Sequence, residues 1–241
     1  MKKLLSILGS LFVGVSLTAH AQQKTYTLEF TDNPPFTLTE NGQNKGVAIS
    51  AVSKLFEKAG IKYQYRNVPL ARAMADAKSQ ENTCVFPVQR SQDMEAEYQW
   101  VGPIFITSSG LFMRQDATAQ FLTLGDAKKM KIGALRGSGD AEYLKRHGFS
   151  VEEANTQDQN VEKLATKRFD IWATDELSAK YFIEKSGTKE KMPKDVFTFR
   201  RTLSSLACNV KVPKADVAKL QEILDGMLKD GTIQKLTTAA P

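Results

Sequence analysis

Histidine is scarce in this 241-residue chain, which has two, and only His147 lies beyond the first 21 residues. In KRHGF that imidazole stands beside a glycine in a basic turn, so it reads as a cation at a helix end rather than a general base. Cysteine is as scarce, and Cys84 and Cys208 stand far apart. Without a His or Cys cluster no metal site is expected, and no cofactor either. The formal charge of +6 is mild and scattered, and KKMK at 128–131 sits near acids. No basic run alternates with aromatics, so nucleic acid is not an expected partner. No later apolar stretch approaches the roughly 20 residues that a membrane span needs.

What is present begins with MKK, the short apolar run LLSILGSLFVGVSL and the small-residue ending TAHA. This order predicts a secretory signal peptide over residues 1–21, cleaved after Ala21. No cysteine follows the cleavage point, so no lipid anchor is expected, and the mature protein is expected in the periplasm. Removing 21 of the 241 residues leaves 220, and the loss of Lys2 and Lys3 lowers the formal charge from +6 to +4. That length suffices for one large domain or two small ones. In an exported chain Cys84 and Cys208, each in an apolar strand-like run, read as a structural disulfide, with two buried free thiols as the alternative.

Periodicity gives the organisation. TYTLEF (25–30) alternates as a strand and DNPPF (32–36) is the turn after it. Apolar residues recur at helical spacing from Val47 to Ala59, and Gly60 closes the helix. KYQYRNV is a second strand, PLARAMADAKSQE a helix with proline at its first turn, and TCVFPV a third strand. A second set follows: strands GLFMR and MKIGALRG, helices DAEYLKRHG and VEKLATKRF, strand DIWATD and helix ELSAKYFIEKSG. QDMEAEY, with Ser91 as its cap, is expected to be a short helix between the sets. FTFRRTLSSLACNVKVP is extended, and KADVAKLQEILDGMLKDGTIQKL is a closing helical stretch. The expected class is α/β, with two such units sharing a cleft.

Three segments carry possible chemistry. IGALRGSGDAEYL (132–144) puts Gly137, Ser138 and Gly139 between a strand and a helix, which suits an anion; Ser138 or Asp140 as an ordinary cap is the plainer reading. It is neither a Walker A loop nor a full G-x-G-x-x-G. In DIWATDELSAKYF (170–182), Asp175 ends a strand, placed to accept hydrogen bonds from an ammonium or to cap the following helix. In QRSQDMEAEYQWVGPIF (89–105), Arg90 is placed to pair with a carboxylate, or else with Asp93 or Glu95.

Taken in order, these segments resemble the family 3 extracellular solute-binding proteins, the periplasmic receptors of polar amino-acid ABC transporters. NPPFTLTENGQNKGVAISAVSKLFEKAG is similar to their opening segment, QRSQDMEAEYQWVGPIF to their R-T/S-x-x-R-E segment, IGALRGSGDAEYL to their G-S/T-T/G loop, RFDIWATDELSAKYFI to their aspartate-bearing strand and helix, and LKDGTIQKL to their closing helix. The resemblance implies a two-lobed type II periplasmic-binding-protein-like fold with two hinge crossovers and a cleft between lobes. Lobe one is expected over 22–108 and 200–241, and lobe two over 109–199. It makes the runs holding Cys84 and Cys208 neighbouring strands of lobe one, which favours their disulfide.

The resemblance also implies function: a small-molecule ligand held by closure of the lobes, an ABC permease in the inner membrane as partner, a monomer, and no catalysis. Asp175 matches the ammonium-binding aspartate, Ser138 and Gly139 the carboxylate loop, Gln89 a small-hydroxyl position, and Phe36 the PPF segment. The carboxylate-binding arginine is replaced by Met94. Arg90 or Arg72 is then expected to reach in, and Trp172, Trp100 or Phe105 to stack on the ligand or to pack the core. Two other readings share the scaffold: an enzyme resembling the dehydratases of cyclic acids, and a sensor that reports its ligand to a membrane receptor.

Overall fold

The computed structural model describes residues 24–90, 92–187 and 194–238. The expected signal peptide, 1–21, and Ser91, the expected cap, lie outside them. TYTLEF forms β1 (Thr25–Phe30), whose Tyr26, Leu28 and Phe30 point inward. A hairpin, β2 (Leu38–Glu40) and β3 (Gln43–Lys45), turns through Asn41 and Gly42, both at positive φ, as Asn-Gly turns favour. Apart from Leu38 its strands are polar, so no alternation announced them.

Helix α1 (Val47–Ala59) buries Ala48, Val52, Leu55, Phe56 and Ala59 and ends where Gly60 turns left-handed at φ 65. Strand β4 (Lys62–Asn67), helix α2 (Leu70–Ser79) after Pro69, and strand β5 (Thr83–Gln89) complete a parallel set, with β1 between β4 and β5. The acidic segment beyond β5 is not the short helix expected. Only a 3-10 turn forms, at Gln92–Met94, and Asp93, Glu95 and Glu97 offer no apolar face to hold anything longer.

Strand β6 (Gln99–Met113) is longer than the sequence implies, because Gly102-Pro103 reads as a break. The proline falls where the register with the partner strand shifts, so its missing N–H removes no ladder bond. Beyond it come β7 (Ile132–Leu135), α3 (Gly139–Arg146), β8 (Val151–Ala154), α4 (Gln157–Ala165), β9 (Ile171–Asp175) and α5 (Glu176–Lys185). Strand β8, VEEA, was not expected: it lies at the sheet edge, half solvated, and buries only Ala154. Helix α4 starts earlier than its apolar spacing suggests, at a Thr156 cap that accepts from Gln159 N–H. It ends before Lys167, at φ 62.

The chain returns as β10 (Lys194–Cys208) and closes with α6 (Lys214–Lys229) and α7 (Thr232–Thr238), divided at Gly231, φ 75. Among the described residues, eight of the ten strands form one sheet in the order β4-β1-β5-β10-β6-β9-β7-β8. At its centre β6 and β10, 15 residues each, run antiparallel from Gln99 against Cys208 to Met113 against Lys194. One core gathers Leu28, Phe56 and Leu224; others, around Ile132 with Leu144 and around Trp172 with Phe182, lie across the long pair. This is the two-lobed α/β fold expected. Among the described residues no helix is long and apolar enough to cross a membrane.

Cys84 and Cys208 face each other across β5 and β10 and are joined by a disulfide, both wholly buried. Since the two are 124 positions apart in sequence, the crosslink removes much of the unfolded chain's freedom. Replacing both by alanine is expected to cost about 2–4 kcal/mol, read as an earlier thermal transition that reductant no longer shifts. Gly133 on β7 lies under the Phe169 ring, and a Cβ there would stand 2.0 Å from it. Gly133→Ala is expected to cost about 1–3 kcal/mol in denaturant unfolding; an unchanged midpoint would contradict that packing.

Candidate functional site

The long strand pair presents an inverted pattern at its middle. On one face lie the polar side chains of Ser109, Thr202 and Ser204, all buried. On the other, Ile106 is 55% exposed and Leu203 is 52% exposed. Hydrophobic burial alone would choose the opposite arrangement, so a buried polar face signals a built site. From Arg200 to Ser204 the register runs without a shift, which places Arg200, Thr202 and Ser204 on the same face as Phe105, Thr107 and Ser109.

Two rows of facing residues cross this floor. Gln89, Ser204 and Phe105 are direct partners across β5, β10 and β6. Arg200, Ser109 and Asp175 are direct partners across β10, β6 and β9. Phe36 stacks on Phe105 with ring centres 5.3 Å apart and closes one end. Leu177, in the first turn of α5, packs against the core cluster that contains both phenylalanines.

The start of α3 covers the other end. Ser138 caps it, its hydroxyl accepting from Ala141 N–H at 3.1 Å. Asp140 accepts from Arg200 Nη2 at 2.8 Å, and the guanidinium lies over the Tyr143 ring at 5.5 Å. Arg200 Nε is buried without a partner. An unmet buried donor costs about 1–3 kcal/mol, more beside a charge. Gly139 approaches so closely that an added Cβ would stand 3.0 Å from Arg200 Nη2 and 3.1 Å from Gln89 Nε2.

Asp175 ends β9 and caps α5, with Oδ1 accepting from Ser178 N–H at 2.8 Å. Burial pushes its carboxyl up to about 6, against the hydrogen bonds from Ser178, and the Asp140 charge raises it further. A carboxyl so placed gains from any cation that enters.

Of the residues predicted for the site, Asp175, Ser138, Gly139, Gln89 and Phe36 are brought together around this floor. Three are placed elsewhere. Arg90 follows Gln89, and both its Nε and Nη2 donate to Glu95, Nη2 at 2.6 Å. It lies over Trp100 and lines a cavity of about 370 Å³ shared with Pro103 and Leu203, on the side of the sheet away from Ser204. Arg72 is tied to both oxygens of Asp76, at 2.9 and 2.8 Å. Trp172 is 0% exposed, beside Phe112, and donates to Gln157 at 3.1 Å. Met94 packs against the cluster containing Val88 and Tyr98.

Sequence reasoning missed Arg200, Ser109, Thr202 and Ser204, and took Asp140 only as a cap. The available signal was period two in FRRTLSS, where polar residues hold alternate positions without a turn.

The likeness to known proteins extends over nearly the whole chain. A ligand-binding core of GluR0 in complex with L-glutamate is 15% identical, covering 91% of this chain and 99% of that one with a TM-score of 0.78. A histidine kinase sensor domain with similarity to periplasmic binding proteins is 17% identical, at 90% and 96% coverage and TM-score 0.75. The ancestral amino-acid-binding protein AncCDT-1, a precursor of cyclohexadienyl dehydratase, is 16% identical, at 90% and 94% coverage and TM-score 0.72. No curated protein matches the sequence. The family of bacterial extracellular solute-binding proteins, family 3, matches residues 30–239, and the chain belongs to it.

Proposed function

We propose that the protein captures a small polar, amino-acid-like solute between its lobes, in the periplasm and as a monomer, and delivers it to an ABC permease without chemical turnover. Lobe one is then residues 22–108 and 200–241, and lobe two 109–199. The observation that carries this reading is the buried polar floor, flanked by Asp175 and Gln89 and closed by Phe36. Asp175 accepts from the ligand's ammonium, and the approach of Gly139 to Gln89 is the contact that closure makes across the cleft. Closure of this kind is a hinge motion about the two long strands. The amino-acid-binding and L-glutamate-bound neighbours support the ligand class.

One observation favours a second reading. A carboxyl held at about 6 is suited to acid-base work, and one neighbour is the precursor of a dehydratase. In that case a cyclic acid incubated with the protein is consumed; recovery of the compound unchanged after tight binding rejects the enzyme. The likeness to a kinase sensor domain supports a sensor, which uses the same closure and differs only in its membrane partner.

A thermal-shift screen of amino acids is expected to yield a ligand, stabilising by about 2.7 kcal/mol at 100 times its dissociation constant. Failure of every amino acid would overturn the reading. Asp175→Asn is expected to lower affinity by at least about tenfold, since a charge-assisted bond contributes about 1.5–3 kcal/mol. Because the ammonium needs an ionised partner, affinity should be complete above neutral pH and fall through about 6 as acid is added. Without ligand the sign reverses. The folded carboxyl binds its proton more tightly than the ordinary 3.8 of an unfolded chain, so Asp175's contribution to stability is greatest below 3.8 and is lost as pH rises through about 6. Calorimetric titration and melting across pH 4–8 check both signs, with Asp175→Asn flattening each.

A further inference from the structure

We propose that Arg200 receives the carboxylate of the solute and so supplies, from a hinge strand, the cation that is missing where Met94 stands. The inference rests on the binding function above and names the group by which the ligand is held: the α-carboxylate, borne on the same carbon as the ammonium. Arg200, Ser109 and Asp175 form one row across three adjacent strands, so the cation and the buried carboxyl stand at opposite ends of a floor whose middle is a small hydroxyl residue. An α-amino acid carries complementary charges on one carbon, and this row offers one of each sign.

Arg200 is held ready without being used up. Asp140 tethers Nη2, and the Tyr143 ring supports the guanidinium plane, while Nε is buried with no partner. An arginine fixed by a carboxylate on one side keeps donors for a second carboxylate on another, which the fork geometry favours. Gly139 lies against the same guanidinium, and only a residue without a side chain leaves a ligand oxygen room there. The first amides of α3 add donors and a partial positive charge on that side.

The two arginines that the sequence offered for this role are committed elsewhere. The Arg90 fork is filled by Glu95, and Arg72 is held by Asp76. Met94 is part of an apolar cluster with Val88 and Tyr98, where a charge would be unpaired. The chain thus keeps a cation in the cleft but brings it from β10, at the floor, rather than from the loop after β5.

The test compares each amino acid with the amine that lacks its α-carboxylate, agmatine for L-arginine and γ-aminobutyrate for L-glutamate, by calorimetry on the full mature chain. The wild-type protein is expected to prefer the amino acid on the order of 100-fold, and Arg200→Ala to abolish that preference while Arg90→Ala keeps it. Arg200→Lys, which retains the charge and the pairing with Asp140 but has no Nε, is expected to lie between, about tenfold weaker than wild type. This variant decides the matter should Arg200→Ala not fold. Wild-type binding with Arg200→Ala or Arg200→Lys within about threefold, or loss of preference in Arg90→Ala, overturns the role of Arg200 alone. Wild-type protein that binds neither amino acids nor amines overturns the binding function itself.

Discussion

The register between β6 and β10 is the constraint on which the rest of the structure depends. Each strand has 15 residues, too long for one lobe, and together they form the centre of an eight-stranded sheet. Their ladder fixes Ser109 between Arg200 and Asp175 and Ser204 between Gln89 and Phe105. A slip of one residue would turn Ile106 and Leu203 into the cleft and send Arg200 and Ser204 to the outside. The disulfide between Cys84 and Cys208 joins β10 to β5 near one end of this ladder and holds β10 against β5 there.

Electrostatics follow from the same placement. Asp140 and Asp175 both face the cleft, and Arg200 pairs with the first of them. Two acids near one cation leave the enclosed site short of positive charge, and burial raises the carboxyl that has no cation of its own. On the proposed function, a ligand ammonium relieves that imbalance. The site is thus stable enough to form without ligand yet unsatisfied until one enters. Deep mutual satisfaction of all three groups would leave nothing for a solute to gain.

Much of this was legible in the sequence. The α/β alternation, Gly60 as a helix stop, and Asp175 at a strand end all depend on local chemistry, and local chemistry is what a sequence displays. Strand β6 was less legible, because Pro103 normally interrupts a sheet and only the register shift opposite it permits the strand to continue. Strand β8 and the polar hairpin gave no hydrophobic period. Arg90 and Arg200 mark the harder limit. Each stands in a run of similar character, and what separates them is the face each takes and the acid each meets, Glu95 in one case and Asp140 in the other. Trp172 likewise looked available for stacking until β9 turned it into the core against Phe112.

The central claim is that the two lobes close on a solute about the long strand pair. The most direct measurement is the distance between spin labels at Lys54 on α1 and Glu162 on α4, both exposed, with and without amino acid. The account predicts a longer and broader distance distribution in free protein that narrows to a shorter one on binding, a change that Asp175→Asn makes only at about tenfold or more higher ligand concentration. Binding detected by calorimetry with an unchanged distance distribution would contradict it.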